Sequence, residues 1–254
     1  MVMFDFLSKN EYCALRKVSS ITPVVCCLTN LVTINDCANM VLAFGGRPIM
    51  STDLDDIKEI LKFSKALVLN IGTIKEDELH LFIQSGKEAN KLKIPVILDP
   101  CGCQATTFRF EVVKKLLSEI SFSVIKCNRE ELLALYKMAN DLNQEDKLQN
   151  ETEKANTTDI KNQTNYVAKK FSSIVCVSGK LDVISDGYET RFCKYGNKIM
   201  TKITGCGCML TCVVACFCAV NANFLDATYT ACCIYGKKYK QLLSQHIKTA
   251  RTFK

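Results

Sequence analysis

The sequence predicts an α/β protein with a mostly parallel central sheet flanked by helices, and three observations carry that prediction. Short apolar runs rich in β-branched residues alternate with longer amphipathic stretches across residues 53–138. Several of the β-like runs stop on polar or small residues, as at Asn70, Asp99 and Ser178-Gly179. A Gly-x-Gly loop, Thr204-Gly205-Cys206-Gly207-Cys208, feeds a largely apolar run that lasts to Val220. Alternation of this kind calls for parallel strands joined by right-handed helical crossovers.

Taken in order, residues 1–20 are mixed in character and read as a leading helix, with Arg16 and Lys17 near its end. Residues 23–30 form an apolar strand that ends on polar side chains. Thr33 or Asn35 could cap the helix over 37–44, which Gly45-Gly46 terminates, and 48–50 is a short apolar segment. Leu54, Ile57, Ile60 and Leu61 recur at helical spacing within 53–65, behind an acidic start. The rhythm continues as strand 66–71, helix 76–92, strand 95–99, helix 110–120, strand 123–126 and helix 130–138. Residues 139–165 break it. They are rich in Asn, Gln, Thr, Lys and acids with hardly any large apolar side chain, and read as a partly disordered surface insertion without catalytic content. Helix resumes at 166–172, strands follow at 174–178 and 183–185, and Asp186-Gly187 marks a hairpin turn. Gly196-Asn197 is a second turn that delivers the chain to the Gly-x-Gly loop. No internal repeat appears, and the whole of 1–254 is expected to form one domain carrying that insertion.

The composition, 48% hydrophobic and 23% charged, is that of an ordinary globular protein. The longest apolar stretch, 209–220, is too short to cross a bilayer, so no membrane partner is expected. The first ten residues lack a basic start followed by an apolar core, so no secretory signal is expected either. Sixteen cysteines sit inside apolar strand and helix patterns, where cysteine acts as a small hydrophobe. A reducing, cytoplasmic setting is the expectation. Zinc is the competing reading of the Cys-x-Cys pairs at 101/103, 206/208 and 216/218. Two histidines, His80 and His246, and the lack of a Cys-x2-Cys pair disfavour it. Of the net charge of +7, six units fall on Lys237, Lys238, Lys240, Lys248, Arg251 and Lys254 with no acid among them. The remainder is nearly neutral, which argues against nucleic acid as a partner, and the tail reads as a solvated helix face.

The Gly-x-Gly loop carries the clearest chemical signal. Two glycines leave room for close backbone approach, and the N-terminus of the apolar helix behind them suits an anion such as a phosphate. Cys208 would stand at the mouth of that anion hole, where a thiolate is favoured. Ligands of open α/β sheets bind beyond the carboxyl ends of the strands. Asp99, Asn128, Glu130 and Glu131 lie at such ends and suit Mg2+, and Lys126 is a cation for a phosphate. There is no Gly-x4-Gly-Lys-Ser/Thr loop, which excludes a Walker-type nucleotide site. Singly, each residue has a plainer reading: the glycines a tight turn, Asp99 before Pro100 a turn, Glu131 a helix-surface charge. Together they point to phosphoryl transfer.

Six segments then carry a resemblance. They are Cys27-Leu-Thr-Asn-Leu-Val32, Gly45-Gly-Arg-Pro-Ile-Met50, Leu67-Val-Leu-Asn-Ile-Gly-Thr73, Pro95-Val-Ile-Leu-Asp-Pro100, Asn128-Arg-Glu-Glu131 and Thr204-Gly-Cys-Gly-Cys208. In this order, over about residues 20–240 apart from the insertion, the chain resembles the 4-methyl-5-(2-hydroxyethyl)thiazole kinase family, thiamine-salvage members of the ribokinase-like superfamily. The resemblance implies a ribokinase-like fold with helices on both faces of the sheet, ATP as co-substrate, Mg2+, and a thiazole alcohol as acceptor. It also implies a homotrimer with thiazole sites between subunits. Asn30, Val32, Met50 and Gly205 match positions the family uses around the thiazole. Lys126, Ser178, Asn128 and Gly207 fall on the nucleotide side, and Asp99 and Glu131 match the acids associated with Mg2+ and phosphates. Cys208 matches the base that accepts the alcohol proton, an aspartate in most of the superfamily. Three positions depart from the family pattern. Lys126 replaces an arginine and loses its bidentate fork; Cys206 stands where a small residue is usual; and Cys101-Gly-Cys-Gln104 replaces a Gly-rich loop. The alternatives are another small-alcohol kinase of this fold, such as one for hydroxymethylpyrimidine, and a catalytically inactive binding paralogue. Cys208 and the segment from Asn30 to Met50 disfavour the first.

Overall fold

The structure is a computed structural model that describes residues 7–146, 156–197, 200 and 202–252, with side chains as far as Gln241. Helix α1 (Lys9–Ile21) opens on a capping box in which Ser8 and Glu11 satisfy each other's backbone N–H. It leads into β1 (Val24–Leu28), α2 (Ile34–Ala43), β2 (Arg47–Ile49), α3 (Leu54–Leu61) and β3 (Ala66–Asn70). Then come α4 (Leu79–Lys91), β4 (Val96–Asp99), α5 (Thr107–Glu119), β5 (Val124–Cys127) and α6 (Arg129–Ala139). The chain is completed by α7 (Thr157–Phe171), β6 (Ile174–Val177), β7 (Asp182–Ser185), β8 (Thr190–Cys193), α8 (Cys206–Cys218) and α9 (Phe224–Thr252).

The eight strands form one sheet in the order β2-β1-β3-β4-β5-β6-β7-β8. Pairing is parallel from β2 to β6, and β7 and β8 close the far edge as an antiparallel hairpin. From β1 the chain first moves outward to β2, then crosses to β3 on the other side. The sheet therefore reverses direction between β1 and β3, and a crevice opens beyond their carboxyl ends.

Period-two alternation sends successive strand residues to opposite faces. Val25, Cys27, Ala66, Val68 and Ile97 face one core with α1, α2, α8 and α9; Cys26, Leu28, Leu67, Leu69 and Leu98 face a second core under α3 to α7. Both faces are thus covered, as parallel sheets require. Helix α8 is apolar all round because it is buried all round: of its thirteen residues only Gly207 escapes full burial. All sixteen cysteines are free thiols, most of them buried in the two cores.

Three sequence expectations change. The insertion expected at 139–165 includes the first half of α7, which starts at Thr157 and not near Tyr166. Asn156 accepts the Asp159 N–H and Asp159 returns the bond, while Thr164, Val167 and Ala168 bury one face; the remaining polar residues are the exposed face of an amphipathic helix. Residues 147–155 lie outside the described residues. At the tail, Lys237 is not solvated. Its Nζ pairs with Glu11 at 2.7 Å, tying α9 to α1, and lies over the Tyr195 ring. Strand β8 was not placed by the sequence; it pairs β7 across the turn at Asp186-Gly187.

Candidate active site

The site is built where the carboxyl ends of β1, β3, β4 and β5 meet the N-terminus of α8. Gly205 caps that helix with φ +74°, and a side chain there would run into Thr33. Gly207 sits in the first turn, where an added Cβ would lie 2.7 Å from Lys126 Nζ. The second glycine therefore admits the ammonium group to the start of the helix. N–H groups at a helix N-terminus have no intrahelical acceptor, and those of Gly207 and Cys208 fall in that turn.

Cys208 is buried and held from several sides. Asn30 Nδ2 donates to its sulfur at 3.3 Å and to Asn70 Oδ1 at 3.0 Å. Asn30 Oδ1 in turn accepts both the backbone N–H and the hydroxyl of Thr33, each at 3.1 Å. The neighbouring Cys101 thiol lowers the Cys208 pKa most; burial and Asp99 oppose, and the Lys126 ammonium and the Asn70 amide assist. The net result is a thiol brought down to about 7, while Cys101 is pushed up in exchange.

Lys126 and Glu131 are both 4% exposed and Asp99 1%. Burial alone would lower the Lys126 pKa, yet Asp99 and Glu131 more than offset it and hold the ammonium charged, above the ordinary lysine. Burial raises Glu131, against the pull of Lys126. Its two oxygens accept the Gly102 N–H at 3.0 Å and the Asn128 N–H at 2.8 Å. Asn128 Oδ1 accepts the Glu131 N–H, so the pair is also the capping box of α6. Asp99 Oδ2 accepts from Thr211 Oγ1, one turn into α8, at 2.7 Å.

This donor set fits Mg2+. Asp99 keeps Oδ1 for the ion or a water on it, and Glu131 stands beside the same ammonium. Among the described residues no group of three or more metal ligands occurs.

Of the remaining predicted residues, Glu130 is exposed, and its carboxylate accepts from Gln104 Nε2 at 3.1 Å without joining the buried charges. Ser178 follows β6, its N–H bonded to the Cys127 carbonyl at 2.8 Å and its hydroxyl to the same oxygen at 3.2 Å. Val32 is 66% exposed, and Met50 is half-buried against the core that contains α8. Asn30, Cys208, Gly205, Gly207, Lys126, Asp99, Asn128 and Glu131 are thus connected by contact or charge, whereas Val32 and Met50 make no hydrogen bond to them.

Sequence reasoning passed over four participants. Asn70, at the carboxyl end of β3, links Asn30 to the turn after β3 by accepting the Gly72 N–H at 2.9 Å. Arg109, in α5, donates to the Gly72 carbonyl at 2.7 Å and the Cys101 carbonyl at 3.4 Å, joining two strand-end loops. Thr211 orients Asp99. Asp182, at the start of β7, accepts the Gly179 N–H at 2.8 Å and is pushed up to about 6 by burial. Only Asn70 announced itself, as a polar residue closing a fully apolar strand.

Comparison with known proteins bears on this geometry. The model of a family described as HK, hydroxyethylthiazole kinase family, matches residues 15–254. A hydroxyethylthiazole kinase of Thermoanaerobacter pseudethanolicus is 40% identical over 214 residues, 84% of this chain and 79% of that protein. One from Haemophilus influenzae is 37% identical over 222 residues, covering 87% and 82%. The solved structure of the hydroxyethylthiazole kinase protein from Pyrococcus horikoshii OT3 superposes with a TM-score of 0.79 at 31% identity, covering 88% of this chain and 82% of that one. A ribokinase-like superfamily protein of Enterococcus faecalis superposes at 0.63 with 13% identity over 96% and 91% of the two chains, which speaks for a ribokinase-like fold alone.

Proposed function

The chain belongs to the hydroxyethylthiazole kinase family, and from that premise we propose that it transfers the γ-phosphoryl group of ATP to the primary hydroxyl of 4-methyl-5-(2-hydroxyethyl)thiazole in thiamine metabolism. The observation that carries the proposal is the placement of Cys208. Its sulfur lies at the start of α8 beside the buried ammonium of Lys126, which helps to draw its pKa down.

In this reaction the hydroxyl proton passes to the Cys208 thiolate as the alcohol oxygen bonds to the γ-phosphorus. The bond from that phosphorus to its bridging oxygen breaks, and ADP leaves. Transfer of this kind needs little covalent help and much positioning and charge neutralisation. Lys126 and the first turn of α8 supply fixed positive charge for the phosphates. Ser178 and Asn128 are assigned to the nucleotide side, and Asn30, Val32, Met50 and Gly205 to the thiazole. Mg2+, held on Asp99 and Glu131 largely through waters, would neutralise charge on the transferring phosphates. The protein works as a cytoplasmic homotrimer in this reading, with Leu31 and Val32, both about two-thirds exposed beside Asn30, turned to a neighbouring subunit.

Incubation of purified protein with ATP, Mg2+ and a panel of alcohols tests the assignment. Formation of ADP dependent on the hydroxyethylthiazole and exceeding that with hydroxymethylpyrimidine by at least tenfold is expected. Preference for the pyrimidine alcohol, or no turnover with any alcohol, would overturn it.

A further inference from the structure

The hydrogen-bond network behind Cys208 is complete except at one atom. Asn70 is 2% exposed, and its Oδ1 accepts two N–H donors, from Asn30 Nδ2 and the Gly72 backbone. Two donors on one atom identify that atom as the oxygen, so the orientation of the amide is determined and Nδ2 lies on the other side. That Nδ2 is buried and makes no hydrogen bond of normal geometry among the described residues, though it faces the Cys208 sulfur, whose pKa it helps to lower. Every polar atom of the neighbouring Asn30 side chain, by contrast, is used: Oδ1 by Thr33, Nδ2 by Asn70 and Cys208.

A buried amide donor left unpaired is costly, and one at a strand end beside a reactive sulfur calls for an explanation. Its place in the fold supplies one. Asn30 follows β1 and Asn70 ends β3, so the amide pair bridges the point where the sheet reverses, where ligands of such sheets enter. The turn after β3 is held from outside by Arg109 on the Gly72 carbonyl, and a Cβ on Gly72 would meet Asn70 Oδ1 and Asn30 Cβ at 3.1 Å. The amide therefore has little freedom to turn its donor elsewhere.

We infer that Asn70 is a substrate-positioning residue, whose Nδ2 donates a hydrogen bond to the hydroxyl oxygen of the acceptor alcohol. A hydroxyl has one proton and two lone pairs. The proton goes to Cys208 Sγ, one lone pair is taken by Asn70 Nδ2, and the other is left for phosphorus. Asn70 thus selects which lone pair attacks, while Asn30 holds the base. The inference rests on the alcohol-kinase reading above and adds the group that recognises the hydroxyl.

The test compares binding of the hydroxyethylthiazole with that of its 5-ethyl analogue, which lacks the hydroxyl, by calorimetry. The parent should prefer the alcohol by roughly tenfold or more, since a site built for a hydroxyl is penalised when it is missing. In Asn70→Leu that preference should fall below about threefold, with the ethyl analogue bound as in the parent and kcat with the alcohol reduced. Asn30→Ala should lower kcat and keep the preference, because the Asn70 donor remains. Asn70→Ala replaces the leucine variant if thermal melts show that the latter does not fold. A position 70 variant that keeps the preference overturns the inference, as does an Asn30→Ala that loses it equally, since Asn70 would then act only through Asn30. Failure of the parent to phosphorylate the alcohol at all would instead count against the kinase reading.

Discussion

In the proposed reaction Cys208 accepts the proton of the alcohol, so its titration should govern the pH dependence. An ordinary thiol, with a pKa near 8.5, is only a few per cent ionised at neutral pH. Lowered to about 7, this one has a larger thiolate fraction there. The proposed base is inactive when protonated, so kcat should fall as pH drops through about 7 and level off above it. The Cys101 thiol is the largest cause of the shift, and Cys101→Val should move the midpoint of the pH–rate profile upward. Because positioning does most of the work in phosphoryl transfer, Cys208→Ala should slow turnover by roughly 10–10³-fold without abolishing it, and thiazole binding should survive. Cys208→Asp should stay active, since a carboxylate can accept the same proton. An alanine variant as fast as the parent would reduce Cys208 to packing.

At the scale of elements, strands and helices were legible wherever burial dictated the pattern. The strand ending at Asn70, the strand ending at Asp99 and the apolar helix behind Gly207 all read from composition alone. What sequence could not supply was pairing across distance. Nothing near residue 11 says that Glu11 meets Lys237, and nothing near residue 109 says that Arg109 reaches the carbonyl of Gly72. Glu131 was legible as an acid but not as the residue that also caps its own helix. Helix α7 was half missed because its exposed face is so polar that only Thr164, Val167 and Ala168 mark the buried side. Asn156→Ala separates the two descriptions of that segment. As the cap of a helix it should lower stability by about 1 kcal/mol in denaturant titration with kinase activity unchanged. In a disordered loop the substitution would cost nothing measurable.

At the scale of the molecule, the switch in strand order explains why residues from both halves of the chain meet. Asn30 and Asn70 come from the first third and Cys208 from the last, and the sheet brings them within hydrogen-bonding distance. The Leu31 N–H donates to Thr73 Oγ1 at 3.1 Å, which fastens the loop after β1 to the loop after β3. With its backbone fastened there, Leu31 is 67% exposed next to the site, beside an equally exposed Val32. Leaving two large apolar side chains largely in water beside a binding crevice forgoes part of the roughly 1.5–3 kcal/mol that full burial of each would give, which burial against another subunit would restore. In the proposed trimer they pack against a neighbouring subunit, and Val32 reaches its thiazole site. Sedimentation at micromolar concentration should therefore show a species near three times 28.4 kDa. Leu31→Glu, at a position not assigned to the substrate, should dissociate it and lower kcat/KM for the alcohol by at least tenfold, with the thermal transition of the monomer retained. A strictly monomeric parent, or a monomeric Leu31→Glu protein with full activity, would show that each subunit completes its own site.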